Sequence, residues 1–503
     1  MRFVVHLLLS LVSANDAIPV PKPTSATTDG SGATSDVSTN GDRDWNCIQE
    51  PEPQDRTNST NYDCMGHEPD CAFEHSYSYR HVRCTERSGN DDLQTIDDQK
   101  RLFWRQADFG YVQSKLLSMG ADYHKWCAAS DQYLHCTTDM TYCQGKMVLL
   151  ERVMDDKRQP VVIKGARCPG DTRDLGGDRG AHLAGWVDEV NWRTNETHKC
   201  ESVLNAAIML VKIDPALNLY HHFTNFINLY ITDLLNQHAP YGINVSTIVL
   251  WVRRPAPSGQ QYPDPPYAQV WSLFSPKLAL SQYDFLYDQG NSVCVKHLIL
   301  AHPPRTRRGI YFKMPLVYGC HGSGLMAEFR RFLISNLNAN QNGPFANRIR
   351  VTLLNRAEQK HRRIVNINQL QAVLMALRGI ELRVEQFDSS IDFNHQLSII
   401  HNTDVLVAMH GAGLTHMLWL PQWAAVVELY NCGDTACYYD LARLAGINYR
   451  TFDRPERSVT PENANERRLK FNDYWIDAED FLGLVLEAIR CVVEHREYVR
   501  LAG

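Results

Sequence analysis

Residues 404–430 read DVLVAMHGAGLTHMLWLPQWAAVVELY, and this stretch decides the fold. Val405–Met409 is an apolar run rich in β-branched residues, the composition of a strand buried on both faces. Two glycines, Gly411 and Gly413, follow at once and open a short helical segment over 414–420 that Pro421 closes. A second buried strand is predicted over 424–429, completing a strand–turn–helix–strand unit. Glycine at the first turn leaves backbone N–H groups open to a ligand, and a helix N-terminus adds partial positive charge. The junction of His410 and Gly411 is therefore a candidate anion site. The same turn is also compatible with a tight Rossmann-type connection that binds nothing.

Strand and helix signals alternate on both sides of this stretch. Upstream lie a strand at Ile349–Leu354, a helix at 368–377 capped by Asn366 or Asn368, a strand at 380–387 after Gly379, and a helix at Phe393–His401. Downstream come a helix at 438–445, a strand at 448–452 and an amphipathic helix at 481–494. A polar stretch, 336–347, separates this set from an earlier one: a strand at 207–213, a helix within 215–238, a strand at 247–252, a Pro-rich loop at 255–266 and a strand at 295–300. The predicted fold class is α/β, with two doubly wound, Rossmann-like halves at 206–346 and 347–480 and a C-terminal helical piece at 481–503.

The chain of 503 residues is 44% hydrophobic with a net charge of −6, which gives no basic excess for nucleic acid. Arg2 precedes an apolar run of about ten residues and a small-residue site at Val12-Ser13-Ala14, so 1–14 reads as a signal peptide. No later run reaches the ~18 apolar residues a membrane span needs, and no membrane insertion is expected. Residues 15–43 are rich in Ser, Thr, Gly and Pro and are expected to be disordered. Fourteen cysteines are present, nine of them from Cys47 to Cys200, and in a secreted chain they read as disulfides. Residues 44–205 form this cysteine-rich region. A helix is expected there over 93–119, with Phe103, Trp104, Phe109 and Tyr111 as core or, alternatively, as a carbohydrate platform. Sequons at Asn58, Asn195 and Asn244 fit the same compartment.

Ligands of open α/β sheets sit at the carboxyl ends of the strands. Arg356 follows the strand at 349–354, Arg362 lies in the loop beyond it, and Glu428 ends the strand at 424–429. Arginines at a helix N-terminus suit a diphosphate, and a carboxylate at a strand end suits ribose hydroxyls. The bland alternatives are a surface charge for Arg356 and a salt bridge for Glu428. Gly411-Ala412-Gly413 lacks the third glycine of a dinucleotide fingerprint, which disfavours hydride chemistry, and no GxSxG elbow is present.

Three segments resemble glycosyltransferase family 61: 218–223 (NLYHHF), the loop from Asn355-Arg356 to Arg363-Ile364, and 399–416 through His410-Gly411-Ala412-Gly413-Leu414-Thr415-His416. Residues 104–111 (WRQADFGY) and 423–432 (WAAVVELYNC) also resemble members of the family, so the likeness runs from about residue 93 to about 490. It implies a GT-B architecture and an enzyme of the endoplasmic reticulum lumen. It also implies inverting transfer of GlcNAc from UDP-GlcNAc to Ser or Thr on folded EGF repeats, such as those of Notch-type receptors. On this reading Arg356, Arg362, His410, Gly411, Ala412, Gly413, Leu414, Thr415 and Glu428 bind the nucleotide sugar. His221 and His222 are the candidate catalytic bases, with Asp233 in reserve. No cofactor or metal is expected, since Gln282-Tyr283-Asp284 stands where relatives carry Asp-Tyr-Asp. Asn225 stands where relatives often carry a carboxylate, and 499–503 (VRLAG) stands where they end in a KDEL-like signal. A family transferase with another donor or acceptor, and a non-catalytic lumenal UDP-binding protein, are the alternatives.

Overall fold

The computed structural model describes residues 47, 64–68, 70–84, 95–137, 142–152, 161–166, 168, 190–193, 200–213, 218–238, 242–252, 267–290, 292–302, 319–356, 361–388, 390–429, 437–452, 455–462, 472–495, 498 and 500. The leader expected at 1–14, the linker at 15–43, and Asn58 and Asn195 lie outside them. The chain divides into two units, one built from 1–50, 340–388 and 396–503, the other from 51–339 and 389–395.

The first of these, the C-terminal unit, is a five-stranded parallel sheet. Its strands are β1 (Ile349–Leu354), β2 (Ile380–Glu385), β3 (Val405–Met409), β4 (Ala425–Leu429) and β5 (Asn448–Thr451), in the order β2-β1-β3-β4-β5. Every residue of β1, β3 and β4 is buried, as their apolar runs require. Alternate residues point to opposite faces. Val351, Leu353, Val405, Val407, Val427 and Leu429 join one core with Leu370 and Leu374 of the helix Ile367–Met375 and Phe481, Val485 and Ile489 of the helix Ala478–Glu494. Each such side chain contributes roughly 1.5–3 kcal/mol by burial. β2 is an edge strand and stays part-exposed, with Glu381, Arg383 and Glu385 along it, charges of the kind that discourage edge pairing.

The start of β3 is fixed by Asp404, which is fully buried. Its carboxylate accepts from Arg350 N (2.8 Å), Nε (3.0 Å) and Nη2 (2.7 Å) and from Trp423 Nε1 (2.9 Å). A buried charge needs this degree of pairing. Cys47 is bonded to Cys491 of the final helix.

The N-terminal unit departs from the expected Rossmann-like half. Its sheet runs Val190–Arg193, Val161–Ala166, Cys143–Arg152, Ser292–Leu300, Val203–Lys212, Thr247–Trp251, Leu278–Ala279, and Tyr133–Cys136 pairs with Cys143–Arg152. Ser292–Leu300, Val203–Lys212, Thr247–Trp251 and Leu278–Ala279 are parallel, but Cys143–Arg152 is antiparallel to both its sheet neighbours. The cysteine-rich strands thus complete the sheet that a boundary at 205/206 would cut. Cys136–Cys143 closes a hairpin whose second strand sends Cys143, Val148 and Leu150 into the core. Cys64–Cys71, Cys84–Cys320, Cys127–Cys168 and Cys200–Cys294 are also bonded, so cysteines from both sides of that boundary are joined.

The single helix expected over 93–119 is two, Ile96–Ala107 and Phe109–Trp126, broken at Asp108. The buried Asp108 carboxylate accepts from Phe109 N (2.6 Å), Gly324 N (2.7 Å) and Leu325 N (2.9 Å), so it caps two helix N-termini at once. Phe103, Trp104, Phe109 and Tyr111 are core residues rather than a sugar platform, at 0–6% exposure.

Candidate active site

In the C-terminal unit the chain leaves β1 toward β2 on one side and leaves β3 toward β4 on the other. The carboxyl ends of β1 and β3 therefore flank the topological switch point, where doubly wound sheets hold their ligands. Arg356 comes from the end of β1, and His410 and Gly411 from the end of β3.

Gly411 has φ +152° and ψ 178°, a region essentially closed to residues with a Cβ. A Cβ there would lie 2.0 Å from Arg356 Nη2 and 3.4 Å from Arg362 Nη1, so both guanidinium groups crowd the bare α-carbon. Arg362 itself has φ +67° and donates through Nη1 to His410 O at 2.8 Å. Arg356 Nη1 donates to His361 O at 3.1 Å. Neither arginine pairs with a carboxylate among the described residues, whereas the adjacent Arg363 is taken by Asp473 at 2.6–2.9 Å. Burial and then the neighbouring Arg362 charge pull the Arg356 pKa down to about 10, with Tyr438 opposing. Two like charges crowded against one α-carbon repel one another. An anion between them would reverse that term.

The turn continues into a 3₁₀ helix, Ala412–Trp419, which starts two residues earlier than the sequence suggests. Its first internal bond is Leu414 N to Gly411 O at 2.9 Å, so the N–H groups of Ala412 and Gly413 precede the ladder. Leu414 and Thr415 are fully buried and can offer a ligand only backbone. His416, absent from the sequence-derived site, is the residue that fixes this turn. Its Nδ1 lies 2.9 Å from Gly413 O and its Nε2 3.0 Å from Gln396 Oε1, and burial pushes its pKa down to about 4. The i, i+3 spacing from Gly413 to His416 is the signal that could have found it.

Glu428 is 2% exposed, and both oxygens are engaged: Oε1 with His410 Nδ1 and Oε2 with Tyr449 O–H, each at 2.5 Å. The expected ribose contact is therefore replaced by a hold on His410. Val427 and Leu429 occupy the opposite, apolar face of β4, so the pleat turns Glu428 toward Tyr449. The His410 ring lies 5.2 Å from that of Tyr438. Cross-strand Tyr449 carried no sequence signal.

His221 and His222 belong to the other unit, at the start of the helix Leu219–His238. His222 is 3% exposed and packs against Tyr267, Trp271 and Phe226 at ring distances of 5.4–6.3 Å, so it serves the core rather than a substrate. His221 is half-buried. One turn along, Asn225 is 2% exposed, and neither its Oδ1 nor its Nδ2 has a partner among the described residues. Burial raises the Asp233 pKa, and Asp233 accepts from Gln237 at 2.7 Å. Gln282 is spent on Val252 (2.7 and 2.9 Å), and Asp284 accepts from its N-cap Ser281 at 2.6 Å.

A family model described as Glycosyltransferase 61 matches residues 219–427. The chain is 34% identical over 460 residues to the "EGF domain-specific O-linked N-acetylglucosamine transferase" of Gallus gallus, which covers 86% of this chain and 82% of that protein. The protein of the same name in Mus musculus is 34% identical over 464 residues, covering 86% and 84%. That of Drosophila melanogaster is 32% identical over 470 residues, covering 88% and 86%.

Proposed function

The chain belongs to the glycosyltransferase 61 family, and from that premise we propose that it transfers GlcNAc from UDP-GlcNAc, with inversion, to Ser or Thr hydroxyls of folded EGF repeats. The observation that carries this reading is the pair Arg356 and Arg362, crowded against Gly411 at the switch point with no carboxylate partner among the described residues. As the acceptor oxygen bonds to C1, the C1–O bond to the diphosphate breaks and negative charge collects on UDP. Arg356, Arg362, His410 and the N–H groups of Ala412 and Gly413 meet that charge without a divalent ion. Glu428 positions His410 and touches no substrate. His221 takes the acceptor proton, as the more accessible of the two histidines.

We read the two α/β units as the halves of a GT-B enzyme working in the endoplasmic reticulum lumen, with Notch-type receptors among its partners. The relatives' names and the six disulfides among the described residues support that reading. No described helix is long and apolar enough to cross a membrane.

Purified, disulfide-bonded protein incubated with UDP-GlcNAc and a folded EGF module should add one N-acetylhexosamine, read as a mass gain. No gain overturns the reading. Activity should survive EDTA, and a strict Mn²⁺ requirement would remove the metal-free part. Preferential use of UDP-xylose would shift the donor. The amide of Asn225, unpartnered among the described residues, favours one other reading, a non-catalytic binder, which UDP binding without any transfer would support.

A further inference from the structure

A groove of about 580 Å³ opens on the N-terminal unit, and Asn244 lies on its rim. Asn244 is exposed and heads the sequon Asn244-Val245-Ser246. The backbone on either side is pinned. Asn236 donates to Ile243 O at 2.6 Å and accepts from Ile243 N at 3.1 Å, while Ser246 donates to Ala207 O through both N and Oγ at 3.0 Å. The Asn244 side chain is thus presented from a fixed point rather than from a wandering loop.

The lining combines apolar surface from Tyr133, Ala206 and Ile243 with hydrogen-bonding groups from Asn205, Lys146 and His297. No carboxylate is among the described residues that line it. Burial, then Lys296 and Lys146, hold the His297 pKa below its usual value, so its ring is neutral near pH 7 and can both donate and accept. Lys146 pairs with the exposed Asp131 at 3.4 Å. Apolar faces interleaved with neutral donors and acceptors match a pyranose, which has C–H faces and a rim of hydroxyls.

We propose that Asn244 carries an N-linked oligosaccharide whose first sugars lie in this groove. The inference rests on the secretory-lumen part of the reading above. In the modifying step a host transferase presents an oligosaccharide on a lipid diphosphate. Asn244 Nδ2 bonds to C1 of the first sugar, and the C1–O bond to the diphosphate breaks. The lipid diphosphate leaves with the bonding pair, and Nδ2 gives its proton to the transferase's base.

The test uses the full chain secreted from a eukaryotic host. Peptide mass analysis after peptide-N-glycosidase treatment should find Asn244 converted to Asp. Release from the native chain should be slower than from Ala128→Trp, which fills the exposed rim of the groove without touching the sequon. A sugar held by one or two net hydrogen bonds is seated most of the time, which makes the difference about tenfold. An unmodified Asn244 beside occupied Asn58 or Asn195 overturns the inference and leaves the lumenal reading standing. No occupancy at any of the three overturns both. Equal release rates in the parent and Ala128→Trp chains, with Asn244 occupied, overturn the seating.

Discussion

Gly411→Ala tests the anion site at its most constrained atom. The backbone there, at φ +152° and ψ 178°, costs a residue with a Cβ roughly 1–3 kcal/mol. The added methyl would also lie 2.0 Å from Arg356 Nη2, so that guanidinium must retreat by about 1 Å or more. Displacing a positioned charge by ~1 Å costs about 10²-fold in rate. Losing its charge-assisted bond to a diphosphate costs ~1.5–3 kcal/mol, or roughly 10- to 150-fold in affinity. The assay is calorimetric titration with UDP, beside turnover on a folded EGF module and thermal unfolding of the same preparations. Gly413→Ala is the control, because a Cβ there meets only Leu354 Cδ1 at an ordinary 3.5 Å. Gly411→Ala is expected to lose UDP binding while remaining folded, and Gly413→Ala to keep it. A folded Gly411→Ala chain with parental UDP affinity and turnover would refute the placement of the diphosphate at this turn.

Arg356→Ala should lower turnover by about 10²–10³, the effect of removing a transition-state charge stabiliser; steady-state rates near the parent's would take Arg356 out of the site. Glu428→Gln keeps the shape but exchanges a charge-assisted hold on His410 for a neutral one, a loss of about 1 kcal/mol or roughly fivefold in UDP affinity. Unchanged calorimetry would mean that His410 does not touch the diphosphate. The buried His416 makes stability fall in acid. Unfolded, it takes up a proton below about 6.5; folded, only below about 4, so stability is complete above pH 6.5 and falls by about 3 kcal/mol on the way to pH 4. Urea unfolding at pH 7 and pH 4.5 should separate the parent from His416→Gln, and equal acid losses in the two chains would contradict the assignment.

The C-terminal unit was legible because its central strands are buried on both faces. Ile349–Leu354 and Val405–Met409 are bounded in the structure as their apolar runs suggest, and Phe393–His401 is bounded likewise. Arg356, His410 and Gly411 were legible as neighbours because the switch-point rule brings the ends of β1 and β3 together. What pairs across strands was not. Tyr449 reaches Glu428 because β4 and β5 run parallel in register, information that no local window contains. The strand at 143–152 was missed as part of the sheet because one of its partners lies far along the chain, at 292–300. Asp108 was read as an ordinary helix residue, since the second helix it caps begins more than two hundred positions later.

The Cys47–Cys491 bond has a consequence for how the chain is made. The two cysteines are 444 positions apart, and the C-terminal unit draws on residues from both sides of the inserted N-terminal unit. During synthesis Cys47 is made 444 residues before its partner. Until then Cys47 must wait as a thiol, open to exchange with whichever cysteine emerges next. A message truncated before codon 491 would also lack the end of the helix that covers β4 and β5. This bond can therefore close only once the helix Ala478–Glu494 has been made.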